Sequence, residues 1–246
     1  ERAVGDAAGV GMRDWFDLHV RIEGPAVHSL LRAFAKMYLI CGGRRNAVRH
    51  LLRHSLRGEY ELRETVDFIY DDGNGHSSRM RQQYLAALRN AKKRVLFVSP
   101  YYFLDKEFLR ALWQTRQRGV RVDLLIPLRT DMRIATYAAY AWFSALTKVG
   151  AKIHIMDRMM HGKAMLVDDE WAIVGSSNME PTSYYRNYEA NVRIRDRWLM
   201  RKLRGVTQSW MEMAKILDLT EWEKRGVWQR VKELCAAFLY RVWHLR

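Results

Sequence analysis

His161 and Lys163, in the stretch HGKAMLVDDEWAIVGSSN, put an imidazole and an ammonium on one face of an extended chain. Two prospective cations side by side repel, so the pair suits gripping an oxyanion better than stabilising a fold. Ala164 and Leu166 take the opposite parity and point into a core. Asp168 shares that parity at the VDDEW turn, where it is expected to hold the hairpin or the lysine surroundings rather than to attack. The next strand, WAIVG, delivers a GSSN turn in which Gly175 permits a tight backbone and Ser176 and Asn178 supply short polar groups. Asn178 is placed to hydrogen-bond a phosphate oxygen whose charge Lys163 neutralises. Glu189, on NYEANVRI, is expected to accept the Nδ1 proton of His161, set its tautomer and leave Nε2 free to attack. The candidate catalytic set is thus His161, Lys163, Asp168 and Glu189. The candidate phosphate-binding set is Lys163, Ser176 and Asn178.

The elements that must position these groups are regular from Ser77 onward. SSRMRQQYLAALRNAKK reads as a helix capped by Ser77 or Ser78, with Met80, Tyr84, Leu85 and Leu88 on one face. RVLFVSPYYFL is a run of strand formers, and Asp105 caps the helix that follows. Gly119 stops that helix before the buried strand VRVDLLIPL. A further helix ends at Gly150, and AKIHIM is the next strand. This alternation predicts an α/β fold, with a mixed or parallel sheet flanked by helices on both faces.

Upstream, DLHVRI at 17–22 aligns with EANVRI at 189–194. The helices that follow keep the register, with Val27, Leu31, Phe34 and Tyr38 opposite Leu199, Leu203, Val206 and Trp210. A duplication of an acid-bearing strand and a packed helix is the expectation. The units predicted are a remnant of a first lobe (1–39), a basic connection (40–76), a complete second lobe (77–217) and a C-terminal amphipathic helix (218–246).

Lys and Arg number 42 against 27 Asp and Glu, a net charge of +15 that favours anionic partners. Cys41 and Cys235 form neither a metal-ligand spacing nor a disulfide framework.

The pattern H-x-K-x4-D-x6-G-S-x-N, filled by His161, Lys163, Asp168, Gly175, Ser176 and Asn178, resembles the HKD signature of the phospholipase D superfamily. Within it, WFDLHVRIEGPAV, VSPYYFLD, RGVRVDLLIP and LTEWEKR resemble segments of bacterial cardiolipin synthases. The resemblance implies two HKD motifs, one histidine forming a phosphohistidine while the other protonates the leaving oxygen, with no metal and no cofactor. It also implies a peripheral enzyme on the cytoplasmic side of the bacterial cell membrane. The reaction implied is phosphatidyl transfer from one phosphatidylglycerol to another, giving cardiolipin and glycerol.

This chain holds the pattern once. None of His19, His28, His50, His54 or His76 is followed two residues later by lysine. Asp17, equivalent to Glu189, is therefore expected to orient a first-lobe histidine lying before residue 1. The partner is a first lobe in cis, or alternatively a second copy of the chain. The C-terminal segment puts Val227, Val231, Leu234, Phe238 and Val242 in a stripe among basic residues. Such a helix lies in an anionic lipid surface or docks on its own domain. Hydrolysis of lipid or nucleic acid, and lipid binding without turnover, remain the alternatives.

Overall fold

The computed structural model describes residues 15–24, 26–55, 66–73 and 77–245. The start of the expected first-lobe remnant (1–14), much of the basic connection (56–65) and the turn at 74–76 lie outside them. Two helices come first, α1 (Val27–Ile40) and α2 (Arg45–Ser55), then strand β1 (Val66–Asp72). The regular part follows as α3 (Arg79–Asn90), β2 (Arg94–Val98), α4 (Lys106–Gln117), β3 (Arg121–Pro127), α5 (Arg133–Lys148) and β4 (Lys152–Met156). β5 (Ala164–Val167), β6 (Trp171–Gly175), α6 (Pro181–Tyr185) and β7 (Tyr188–Ile194) carry the motif region. α7 (Arg197–Met213), β8 (Lys215–Ile216), α8 (Leu219–Glu223) and α9 (Val227–Leu245) close the chain.

Local signals explain most of these boundaries. The Ser78 hydroxyl accepts from the Arg81 amide at 3.0 Å and starts α3. Asp105 accepts from the Phe108 amide at 2.8 Å and starts α4. Gly119 and Gly150, at φ +79° and +88°, follow α4 and α5 in the left-handed region that favours glycine.

The strands form one sheet in the order β1-β7-β6-β5-β2-β3-β4-β8. β2, β3 and β4 run parallel through right-sized helical crossovers, and the remaining pairs are antiparallel. The sheet is mixed, as expected. One face packs on α3, α4 and α5 through a core that includes Leu88, Phe97, Phe108, Leu112, Leu124 and Phe143. The other packs on α7 through Leu96, Leu125, Leu166, Leu203 and Trp210. With both faces covered, all four residues of β5 are buried, not only the alternate pair expected of it.

Two expectations change. β1, read as part of a connection, is an edge strand of the sheet, paired antiparallel with β7 from Val66↔Ile194 to Asp72↔Tyr188. Its Asp71 is buried and accepts from the Ser78 hydroxyl and the Arg79 and Met80 amides, so the edge strand also seats α3. Residues 17–22, expected to be a strand like β7, are extended but join no ladder among the described residues beyond the bridge Phe16↔Met160. Their alternation is nonetheless that of a strand. Leu18, Val20 and Ile22 pack on the α7 core while Asp17, His19 and Arg21 are exposed. The helix after each copy differs likewise: Leu199, Leu203 and Trp210 are buried, whereas Phe34 and Tyr38 are exposed.

α9 docks on α5, the aromatic-rich helix, through Ala236 and Tyr240 packed against Ala135 and Ala138. Glu233 is buried and receives Arg225 through both carboxylate oxygens at 2.9–3.0 Å. Arg225 in turn stacks 4.7 Å above the Trp222 ring. Among the described residues no helix is long and apolar enough to cross a membrane.

Candidate active site

His161 and Lys163 sit in the extended lead-in to β5. That lead-in is held from below by the segment before Asp17. The Phe16 carbonyl accepts from the amides of His161 at 2.6 Å and Gly162 at 3.2 Å, and the Phe16 amide donates to Met159 at 2.9 Å. This clamp brings Asp17 beside the ring: its Oδ2 lies 3.3 Å from His161 Nδ1. On the far side, Lys163 Nζ lies 2.8 Å from His161 Nε2 and 2.6 Å from the His161 carbonyl. Nδ1–H toward a carboxylate and an Nε2 lone pair toward an ammonium define one neutral tautomer. Trp15 covers the ring, with centroids 5.2 Å apart.

The acid on the ring is therefore Asp17, and the assignment of that role to Glu189 is corrected. Glu189 is buried on β7, where Ser176 donates to it and Asn187 Nδ2 approaches at 3.3 Å. Its side chain is taken up by the GSSN turn and by Asn187 rather than by the imidazole. Asp17, expected to face a histidine lying before residue 1, instead lies against the histidine of this chain.

The GSSN turn closes over Lys163. The Gly175 amide donates to the Lys163 carbonyl at 3.2 Å, and the Ser176 amide to Ala190 at 3.0 Å. A Cβ on Gly175 would collide with the backbone and side chain of Asn191, which explains glycine there. Asn191, buried, holds the turn through Ser177, donating to its hydroxyl at 2.8 Å. Asn178 Nδ2 faces Glu180 at 3.5 Å, and its buried Oδ1 finds no partner among the described residues. Asp17, His161, Lys163, Ser176, Asn178 and Glu189 all line one cavity of about 700 Å³. Arg186, Asn187 and Tyr188 line it too. Sequence reading passed over these three, although the polar run RNY directly before Glu189 was the available signal.

Lys163 is buried, and burial lowers its ammonium to about 8 against the opposing pull of Asp17 and Glu189. It is a cation held at some cost on the wall of this cavity.

Asp168 is not among the residues lining the cavity. Its carboxylate accepts from the amides of Lys92, Lys93 and Arg94 at 2.9, 2.7 and 2.9 Å, so it staples the β5–β6 turn to the start of β2. These bonds give Asp168 the hairpin-holding position expected of it, and they take up its carboxylate at a distance from the cavity lining. Burial pushes this carboxyl up, but the three backbone donors outweigh it and hold it below the ordinary carboxylate value. Asp168→Ala should cost about 2 kcal/mol, because three amides lose their acceptor. The urea midpoint should fall with an unchanged slope. The native aspartate's contribution is present above its unfolded pKa and fades as pH falls through the folded one.

The family model described as the phospholipase D-like domain of cardiolipin synthase matches residues 84–210, just over half of the chain. Cardiolipin synthase A of Pectobacterium carotovorum is 30% identical over 228 residues, covering 92% of this chain and 46% of that protein. The Buchnera aphidicola cardiolipin synthase A is 26% identical over 230 residues, covering 93% and 47%. The chain thus spans about half the length of these relatives. Among solved structures, Nuc from Salmonella typhimurium, a phospholipase D family member, superposes with a TM-score of 0.52 at 22% identity over 62% of this chain and 97% of that one. Phosphatidylserine synthase of Haemophilus influenzae gives 0.57 at 13% identity over 80% and 52%. These two likenesses speak for the fold alone. The chain belongs to the phospholipase D superfamily, in the family of phospholipase D-like domains described from cardiolipin synthases.

Proposed function

We propose that this chain contributes one half of a phosphatidyltransferase site of the cardiolipin synthase type. The observation that carries the reading is the row Asp17–His161–Lys163 opening on a cavity that Ser176 and Asn178 also line. The carboxylate holds the Nδ1 proton and leaves a lone pair on Nε2. In the free site that lone pair faces the lysine. An incoming phosphodiester draws the ammonium onto a non-bridging oxygen and frees Nε2 for phosphorus.

In-line displacement needs a second group on the opposite side to protonate the leaving oxygen. A second histidine–lysine pair supplies it. The first histidine forms a bond to phosphorus as the bond to the glycerol oxygen breaks, and the second passes that oxygen its proton. The second histidine then takes a proton from the hydroxyl of another phosphatidylglycerol, whose oxygen displaces the first histidine and gives cardiolipin.

The source of the second pair follows from the repeat. Asp17 and Glu189 occupy equivalent positions in the two copies, and Asp17 reaches across to the histidine of the second copy. By the same symmetry Glu189 serves the histidine of the first. A homodimer of this chain would pair two His161 rings, each already holding its own Asp17, and would leave Glu189 without a ring. A first lobe in cis satisfies both acids.

The lipid reading draws its support from the cardiolipin synthases that match over nearly the whole chain. The net charge of +15 also suits nucleic acid as substrate. The deciding assay joins the chain to a lobe carrying the first pair and offers phosphatidylglycerol vesicles and single-stranded DNA separately. Cardiolipin and free glycerol are the expected products. Cleaved DNA with intact lipid would overturn the reading.

A further inference from the structure

α9 has two apolar faces. Through Ala236 and Tyr240 it rests on α5. Half a turn round the helix, Val231, Leu234 and Phe238 are 41, 66 and 67% exposed, and Trp228 at its start is 80% exposed. A helix that only docked on α5 would present polar residues outward. Here the outward stripe is apolar, and its margins are basic, with exposed Arg230 and Arg241 along one side and Lys232 along the other.

The choice of what covers this stripe follows from charge and length. A second copy would bring the same three cations against these and another +15 to the interface. Anionic headgroups meet those cations with the opposite sign. The 19 residues of α9 make a rod about 28 Å long, but its charged margins keep it from crossing a bilayer. Its docked face also ends at the active site. Tyr240 donates to the buried Glu180 carboxylate, whose other oxygen faces Asn178, a residue of the cavity lining.

We infer that the outward face of α9 is an interfacial anchor: it lies in the surface of a membrane bearing anionic lipid and holds the His161 cavity at that surface. The anchor rests on the lipid reading for its purpose, but its binding can be measured without turnover. The 246-residue chain is sedimented with phosphatidylglycerol vesicles and with phosphatidylcholine vesicles, beside a triple variant Trp228→Ser, Leu234→Ser, Phe238→Ser. All three side chains are exposed, so circular dichroism and the melting midpoint should match the parent.

The parent should bind the anionic vesicles, and the triple variant should bind about tenfold or more weakly. Moderate salt should weaken parent binding, because the basic margins are screened. Undiminished vesicle binding by the triple variant overturns the anchor and leaves the proposed reaction standing. A parent dimer that the variant abolishes, with vesicle binding unchanged, also overturns it and makes the face a contact between copies. Lost binding in the variant, with DNA as the only substrate of the two-lobe protein, sinks the reaction and keeps the anchor.

Discussion

Replacing His161 by alanine should cut phosphatidyl transfer by about four orders of magnitude in a protein that also carries the first histidine–lysine pair. The ring supplies the nitrogen that either bonds to phosphorus or carries the proton of the alcohol, and no neighbour in the cavity duplicates it. Asp17→Asn is the sharper companion test. It keeps the shape and removes the charge, so Nδ1–H loses its anionic acceptor at 3.3 Å. A fall in kcat of about 10²–10³-fold with little change in KM is expected, because the contact matters most once the ring becomes cationic. The Nδ1 proton resonance of His161 should respond to Asp17→Asn and ignore Glu189→Gln. The reverse pattern would restore Glu189 as the partner of this ring and undo the crossed arrangement.

Lys163→Met should move activity and stability in opposite directions. Burial sets the ammonium at about 8, below its ordinary 10.5. Below about pH 8 the folded protein carries a buried charge that the unfolded chain carries at no cost. Between about 8 and the ordinary value the unfolded state binds the extra proton, so stability rises with pH across that window. Methionine removes the cost and should raise stability near neutrality by about 1 kcal/mol, read as a higher urea midpoint. Turnover should drop about 10³-fold, since the phosphoryl oxygens lose their cation. In the unsubstituted protein, KM for the phosphodiester should climb as pH passes about 8. A variant that was both less active and less stable would mean that Lys163 supports the fold rather than the anion.

The alternating core from α3 to β4 was legible because its signals are local. Ser78 and Asp105 cap their helices by hydrogen bonds spanning three residues, and Gly119 and Gly150 release the chain at their ends. The histidine, lysine and asparagine of the motif were legible for the same reason, since a few residues of hairpin bring them together. β1 was not, because its pairing with β7 joins residues as distant as Val66 and Ile194. The Asp17–His161 contact escaped for the same cause. Sequence repetition placed Asp17 and Glu189 at equivalent positions, yet the meeting of Asp17 with this ring depends on a clamp at Phe16 that no local pattern encodes. α9 was read as either docked or lipid-facing, whereas its two faces divide those tasks between docking and exposure.

The Asp17–His161 contact spans 144 positions of chain. Helices and hairpins organise well before such distant parts meet, because the intervening loop must first be closed. A newly made polypeptide therefore holds an imidazole with no carboxylate to fix its tautomer until these two stretches are brought together. The orientation of the ring is therefore among the last features that folding confers, acquired after the hairpin that carries it.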